Sequence, residues 1–511
     1  MSDSQESKKN GTDAPQSQPR LSVNVRMYCH GLGDCFLLTF EKGERKFNML
    51  IDCGVLQGTR IEPDPQREKV PAEGVKESEI MKLVADNIRT ATGGHLNLVA
   101  VTHEHHDHIC GFKHAKSVFD QMTFDEVWLG WTEDPKNEIA VQLQKKHEQR
   151  FQNLKKALTA LRPLDRKSQE TIDSFLAGFS GDALGAKPGK RAEAWLYIID
   201  EIGRKSQPNP PKYTYCYPGR EPLKLKGFEE DVRIYVLGPP DNLQKLRDLS
   251  APPTDRYRHF AGLLMDSVSS AEDNFFLAVD EDSSDMNGGL PFRHDLGIDE
   301  TDAQAEVKGG FFHDSYYGPD ARDWRTIDSD WLAVAGEIAL KMDSYTNNTS
   351  LVLAIELIKS GKVLLFVGDA QFVNWKSWHD YEWKITDRGG TKKTVKTEDL
   401  LRRTVLYKVG HHGSHNATLK ERGLEMMTNI EELVALIPVD QRVALGQKPH
   451  KWEMPFAPLL EDLRKRTAGR VIASDKDLPE NVSLPTCSID GENLFFGSRL
   501  FVDYTIHEEN V

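Results

Sequence analysis

The 511-residue chain reads as a mixed α/β (α+β) fold: two strand-rich blocks with a large, mainly helical insertion between them. Three observations predict this. Short apolar or alternating runs bounded by Gly, Pro and Asp turns fill residues 21–131 and return in 330–511. Residues 132–329 switch to an apolar spacing of three to four and then to Pro- and Gly-containing loop sequence. The densest group of chemically active side chains follows directly on a strand of the first block. Residues 1–20, rich in Ser, Gln, Lys, Asp and Pro with no apolar core segment, read as a disordered tail, not as a signal peptide.

In order along the chain, residues 21–29 alternate polar and apolar, as a half-exposed strand does. The turn His30-Gly31-Leu32-Gly33-Asp34 leads to an apolar strand at 35–40. Glu41-Lys42-Gly43-Glu44-Arg45 is a hairpin turn, and the strand at 47–51 ends in Asp52-Cys53-Gly54. Residues 78–89 carry Ile80, Leu83, Val84 and Ile88 at helical spacing, with Ser78 as the expected cap. Strands are expected at 98–101 and 126–131, with a helix over 111–119 between them. Ile139, Leu143, His147, Phe151, Leu154, Leu158 and Leu161 define a long amphipathic helix. Further helices are expected at 169–178 and 191–204, and strands at 232–237 and 274–279. In the second block the strands are 350–357, 362–367, 404–409 and 434–437, with helices at 330–341 and 456–466. A hairpin broken at Gly497-Ser498 closes the chain over 494–506.

Composition narrows the function classes. A formal net charge of −14 repels polyanions at long range, so a nucleic-acid partner needs a local basic patch. The helix beginning at Ile139 offers one: Lys145, Lys146, Arg150, Lys155 and Lys156 share its polar faces. This stripe is either a solvated helix face or a surface for something anionic. No apolar run is long enough to span a bilayer, which argues against a membrane partner. The six cysteines form no Cys-x-x-Cys pair, as expected of a reduced, cytoplasmic protein.

The chemistry concentrates at residues 98–111, Leu-Val-Ala-Val-Thr-His-Glu-His-His-Asp-His-Ile-Cys-Gly. Imidazole and carboxylate are the ligands that borderline divalent ions prefer, and His103, His105, Asp107 and His108 crowd a strand-to-helix junction. One loop does not complete a pair of ions. The second block supplies the remainder at two further strand ends, Gly368-Asp369 and Gly410-His411-His412-Gly413. Which of His411 and His412 is the ligand stays open, and Asp52 is placed to orient a ligand from behind.

The order Asp52, His103-x-His105-x-Asp107-His108, Gly368-Asp369, His411-His412-Gly413 resembles the metallo-β-lactamase-fold hydrolases. More narrowly, it is similar to the hydrolase domain of bacterial DNA-uptake competence proteins (ComEC-like) and their free-standing relatives. Gly31-Leu32-Gly33-Asp34, Asn347-Asn348-Thr349-Ser350-Leu351-Val352-Leu353 and Lys408-Val409-Gly410-His411-His412-Gly413-Ser414 carry that narrower likeness. It covers residues 21–137 and 329–475 in blocks. The resemblance implies an αββα sandwich of two mixed sheets flanked by helices, with a dinuclear site at the sheet edges. Many family members place a further ligand histidine between the first cluster and the later Asp. His114, His147, His259, His294 and His313 fall in that interval, none at a convincing strand end.

The expected function is therefore that of a metal-dependent hydrolase with two divalent ions, zinc, manganese or iron, and an attacking metal-bound hydroxide. His103 and His105 would hold one ion, Asp107 and His108 the other, with Asp369 bridging and one of His411 and His412 completing the set. Asp107, His411 and His412 are the expected catalytic residues. Asp52 and Asp34 support them, and Lys408, Ser414, His415, Lys145 and Lys146 are weaker candidates for substrate contacts. The preferred substrate class is an anionic phosphodiester, nucleic acid among them. The alternatives are an ester, thioester or lactone hydrolase of the same fold and a non-catalytic binding protein.

Overall fold

The computed structural model describes residues 19–61, 74–160, 190–202, 210–247, 310–311, 314–315, 342–386, 389–447, 451–479, 487–489 and 499–508. Its principal strands are β1 (Ser22–Tyr28), β2 (Cys35–Lys42), β3 (Arg45–Cys53), β4 (His95–Ala100), β5 (Thr123–Gly130), β6 (Lys212–Cys216) and β7 (Val232–Gly238). They continue with β8 (Val352–Leu357), β9 (Val363–Phe366), β10 (Thr404–Lys408), β11 (Val434–Ile437), β12 (Val471–Ala473), β13 (Cys487–Ile489) and β14 (Phe501–His507). The principal helices are α1 (Glu77–Thr92), α2 (His106–His114), α3 (Glu138–Ala160), α4 (Lys190–Leu196), α5 (Phe372–Trp378), α6 (Thr397–Arg402) and α7 (Ala457–Arg466).

The strands form an eight-stranded sheet, order β13-β14-β1-β2-β3-β4-β5-β6, and a six-stranded sheet, order β12-β11-β10-β9-β8-β7. Both sheets are mixed. β3 through β6 run parallel to one another, as do β9 through β12, and the remaining pairs are antiparallel. Because side chains alternate across a strand, each sheet sends one set inward and one outward. Val23, Leu38, Ile51 and Leu98 of the first sheet share one apolar core with Ile234, Leu353, Leu364 and Leu436 of the second. Phe36 and Phe366 meet edge to face across that core, ring centroids 5.6 Å apart. The alternate residues Leu37, Leu50 and Val99 pack under α1 and α2, while Ala354, Leu365 and Tyr407 pack under α5, α6 and α7. The result is two sheets face to face with helices on both outer faces.

Several expectations are corrected. The stretch 132–329 is not wholly an insertion: its β6 and β7 supply an edge strand to each sheet. β6 directly follows a Pro-rich run that reads as loop, and its pairing with β5 decides its conformation. Ser78 is not the cap of α1. The helix starts one residue earlier at Glu77, where the Lys76 backbone N–H donates to Glu79 Oε2 at 2.9 Å. On α3 one position of the expected stripe departs, Ile139 being 45 % exposed with Ala140 buried in its place, while Leu143, His147 and Phe151 are half-buried. β14 pairs with β1 and β13, so the C-terminal strand sits inside the first sheet. The strand expected at 274–279, the helices at 169–178 and 330–341, Gly497-Ser498 and residues 1–18 lie outside the described residues.

Three chain turns converge where the parallel strands of the two sheets end. The Asp34 N–H donates to the Asp107 carbonyl at 3.0 Å and the Gly54 N–H to the Asp34 carbonyl at 3.0 Å. The halves are joined there too, because the Leu351 N–H donates to the Thr102 carbonyl at 2.8 Å. A Cβ on Gly54 would lie 2.4 Å from the Asp107 carbonyl carbon and 2.4 Å from the His108 nitrogen. Both are backbone atoms that cannot swing aside. Gly54→Ala is therefore expected to cost on the order of 3 kcal/mol or more in urea unfolding.

Candidate metal centre

The side chains singled out at strand ends in the sequence do converge. β4 delivers Thr102 and His103 and then enters α2, whose first turn holds Asp107 and His108. β9 ends before Gly368, whose φ of +53° turns Asp369 inward. β10 ends before His411 and His412, both in the left-handed region (φ +45° and +52°), a strained pair that swings the second ring into the site. The centre thus lies beyond the carboxyl ends of parallel strands, where open α/β sheets leave a crevice.

Four ligand atoms gather most closely. His108 Nε2 lies 3.2 Å from Asp369 Oδ2 and 4.0 Å from Asp107 Oδ2. His412 Nε2 lies 3.0 Å from Asp107 Oδ2 and 3.8 Å from Asp369 Oδ2. Beside them, His103 Nε2 is 3.0 Å from His105 Nδ1, and the His103 and His108 rings are 4.2 Å apart. His105 Nε2 is 3.5 Å from Asp343 Oδ1.

The opposite ring nitrogens are held by groups that set where each lone pair points. Asp52 Oδ2 is 2.8 Å from His108 Nδ1, and the same carboxylate accepts the Thr102 backbone N–H at 2.8 Å and the Thr102 hydroxyl at 2.6 Å. His412 Nδ1 lies 2.8 Å from the Pro438 carbonyl. The Ser350 hydroxyl sits 3.3 Å from His103 Nδ1 and accepts the Asp369 N–H at 3.1 Å, so one side chain steadies ligands from both blocks. Asp34 stands behind both imidazoles, 3.7 Å from His108 Nδ1 and 3.7 Å from His412 Nδ1.

Burial and charge oppose each other throughout. Burial disfavours charge on His108, yet the carboxylates of Asp369, Asp34, Asp52 and Asp107 outweigh it and hold the imidazole well above its ordinary value. His412 is raised in the same way by Asp369 and Asp107 against its burial. Burial also works against ionised Asp369, but His108 and His412 keep it well below the usual carboxylate range. Asp52, at the back, is raised by its burial. His103 and His105 are lowered, first by burial and then by neighbouring imidazoles. The site therefore asks for positive charge and recruits protons for it.

The donor set suits divalent ions: the buried Nε2 of His108 makes no well-aligned hydrogen bond although it faces the Asp369 carboxylate at 3.2 Å, the kind of position a ligand atom takes when an ion completes its shell. Among the described residues two groups of His, Cys, Asp and Glu have ligand atoms close enough to hold an ion, Asp34, His108, Asp369 and His412 here and Glu77, His106, Cys110 and His114 elsewhere.

Of the two candidate histidines, His412 enters the ligand cluster. The His411 ring lies 3.3 Å from Asn416 Oδ1 and 3.1 Å from the Ser414 hydroxyl, while its backbone N–H donates to Asp369 Oδ1 at 3.1 Å. Lys408 is 1 % exposed, ion-paired to Asp34 and donating to the Gly368 carbonyl at 2.9 Å, so it balances buried carboxylates and is not presented to a substrate. Ser414 is buried beneath His411, and His415 is half-buried with its ring 6.2 Å from that of Phe456. Lys145 and Lys146 are exposed on α3. On the same helix His147 is half-buried and pushed down to about 4 by burial and then by His105, and the Arg150 guanidinium lies 5.9 Å from the Tyr345 ring. α3 therefore borders the centre. Asp343 was not legible in the sequence; its only signal is the i,i+4 spacing to Asn347, whose Nδ2 donates to it at 3.0 Å. No protein-family model matches the chain, and no curated protein matches it.

Asp52→Asn keeps the shape but removes the charge behind His108, so metal affinity should fall about 10–100-fold in chelator competition. A pH dependence follows from the raised imidazoles. In the metal-free chain, the stability from protonated His108 and His412 is complete below about pH 6.5 and fades as pH rises through their raised values. An incoming ion must displace those protons. Apparent affinity in metal titrations should accordingly rise with pH over that window, by up to about tenfold per pH unit per proton released.

Proposed function

We propose that the chain is a metal-dependent hydrolase of the metallo-β-lactamase fold, acting on phosphodiesters with two divalent ions. The observation that carries this reading is the convergence of His103, His105, Asp107, His108, Asp369 and His412 from three strand ends onto one buried point. His103 and His105 would hold one ion; Asp107, His108 and His412 the other; Asp369 lies between the sets. Zinc, manganese and iron all suit imidazole and carboxylate donors. Ions held there supply a water acidified to near neutrality and Lewis-acid stabilisation of developing negative charge.

The chain's own residues supply the remainder. Asp52, Thr102, Ser350 and the Pro438 carbonyl hold the imidazoles in place, so little reorganisation is needed as charge develops. Asp343 stands at the open side, 31 % exposed at its side chain. Desolvation, aided by the Asp107 and Asp369 carboxylates, pushes it up to about 6. It is the group placed to hand a proton to a leaving oxygen near neutral pH. Arg150 and His147 of α3 lie at the edge of the site and Lys145 and Lys146 are exposed on the same helix, a basic segment in an otherwise acidic protein that favours a phosphodiester over a neutral ester.

The test is hydrolysis of bis-p-nitrophenyl phosphate and single-stranded DNA by protein supplied with zinc or manganese, with a thioester and a lactone in parallel. Phosphodiester turnover that chelation removes is the expected result, and Asp107→Ala or His412→Ala should lower it by about a thousandfold or more. Cleavage of the thioester or lactone alone would overturn the substrate class. Turnover of none of them by protein that binds no metal would overturn the hydrolase reading.

A further inference from the structure

A second group of ligand-type side chains lies on the outer side of α2, and the proposed hydrolysis makes no use of it. His106, Cys110 and His114 are spaced i, i+4 and i+8 on that helix and therefore share one face. Glu77, the first residue of α1, meets that face. Its Oε1 lies 2.7 Å from His106 Nε2 and 2.6 Å from His114 Nε2, so two imidazoles converge on a single carboxylate oxygen. Oε2 is turned away and accepts the Gly58 N–H at 2.9 Å. One ligand atom from each of Glu77, His106, Cys110 and His114 falls within 4.8 Å of all the others.

From this geometry we propose a separate structural zinc site, formed by Glu77, His106, Cys110 and His114. One thiolate, two imidazoles and one carboxylate are a borderline-soft set that suits zinc. Four protein ligands leave no position for substrate, which is the pattern of a structural ion. Enclosure fits that role. Glu77, His106 and Cys110 are buried, and the His114 side chain is only 10 % exposed. Cys110 Sγ accepts the Val55 N–H at 3.2 Å and its thiol donates to the Val55 carbonyl at 3.3 Å; burial and the Glu77 carboxylate hold that thiol well above its ordinary value, so the charge of an ion is what would displace its proton. Binding converts the Cys110 thiol to a thiolate bonded to the ion and releases its proton to solvent.

The site explains why α2 can present its first turn so exactingly. His106 stands between His105 and Asp107, on the opposite side of the chain from them. An ion there would tie the start of α2 to the start of α1 and brace the loop that carries His103 to His108. Its role is positioning, not catalysis.

The two centres are distinguishable because the main one contains no thiolate. The experiment is cobalt titration of metal-stripped full-length protein, read by the near-ultraviolet sulfur-to-cobalt charge-transfer band. Wild type should develop the band, and Asp107→Ala should retain it. Cys110→Ser should lose it, together with one equivalent of bound zinc. If Cys110→Ser does not fold, His114→Gln should weaken the band and lower zinc content by the same one equivalent. Protection of Cys110 from alkylation by added zinc is the corresponding readout on the unmodified chain. No charge-transfer band, and alkylation of Cys110 unaffected by zinc, would overturn the site and leave Glu77 as a hydrogen-bond acceptor for two imidazoles.

Discussion

The constraint on which the centre depends is the burial of too much negative charge at one point. Asp34, Asp52 and Asp369 are each no more than 2 % exposed and Asp107 stands beside them, yet among the described residues the fixed cation paired with them is the ammonium of Lys408. Unpaired buried carboxylates are costly, and one ammonium does not balance four. The chain answers with protons on His108 and His412, both held above the ordinary imidazole value by those same carboxylates. Divalent ions meet the same demand with more charge in less space. Binding of an ion there would be coupled to the folding of this region for that reason.

The architecture follows from where those charges are attached. β3, β4, β9 and β10 end at the same level, so Asp52, His103, Asp369 and His412 arrive on short, stiff tethers. Glycines are used where backbones must touch. Gly33 and Gly54 sit against the Asp107–His108 backbone, and any side chain there would push the metal loop off the sheet. Ser350 and Thr102 link the blocks through His103, Asp369 and one backbone hydrogen bond. Neither block holds a finished site without the other.

The stretch between the blocks contributes more than length. It supplies β6 and β7 to the sheets, lays α4 against α2, and brings α3 to the rim of the centre. Against a net charge of −14, α3 also carries the exposed cations Lys145 and Lys146 beside His147, the residue of that helix that reaches toward His105. No described helix is long and apolar enough to cross a membrane.

The sequence by itself determined most strands of both blocks and the candidate ligand types, while β12 at Val471–Ala473 and β13 at Cys487–Ile489 are not among its expectations. Periodicity and turn residues are local signals, and a His-x-His-x-Asp-His run at a strand end marks a candidate metal site without any knowledge of the fold. β11 falls at residues 434–437 as its apolar run predicts, and β9 and β10 come within one residue of each end. Only the tertiary structure decided which imidazole enters the cluster. His411 and His412 are adjacent and chemically identical, and the choice rests on two left-handed backbone conformations that cannot be read from side-chain identity. It also decided that Lys408 is a buried counter-charge, that β6 is a strand, and that Asp343 and His147 stand beside His105. The cluster of Glu77, His106, Cys110 and His114 shows the same division. The i, i+4, i+8 spacing was present in the sequence, but the fourth ligand comes from another helix, and a contact between helices distant in sequence belongs to packing.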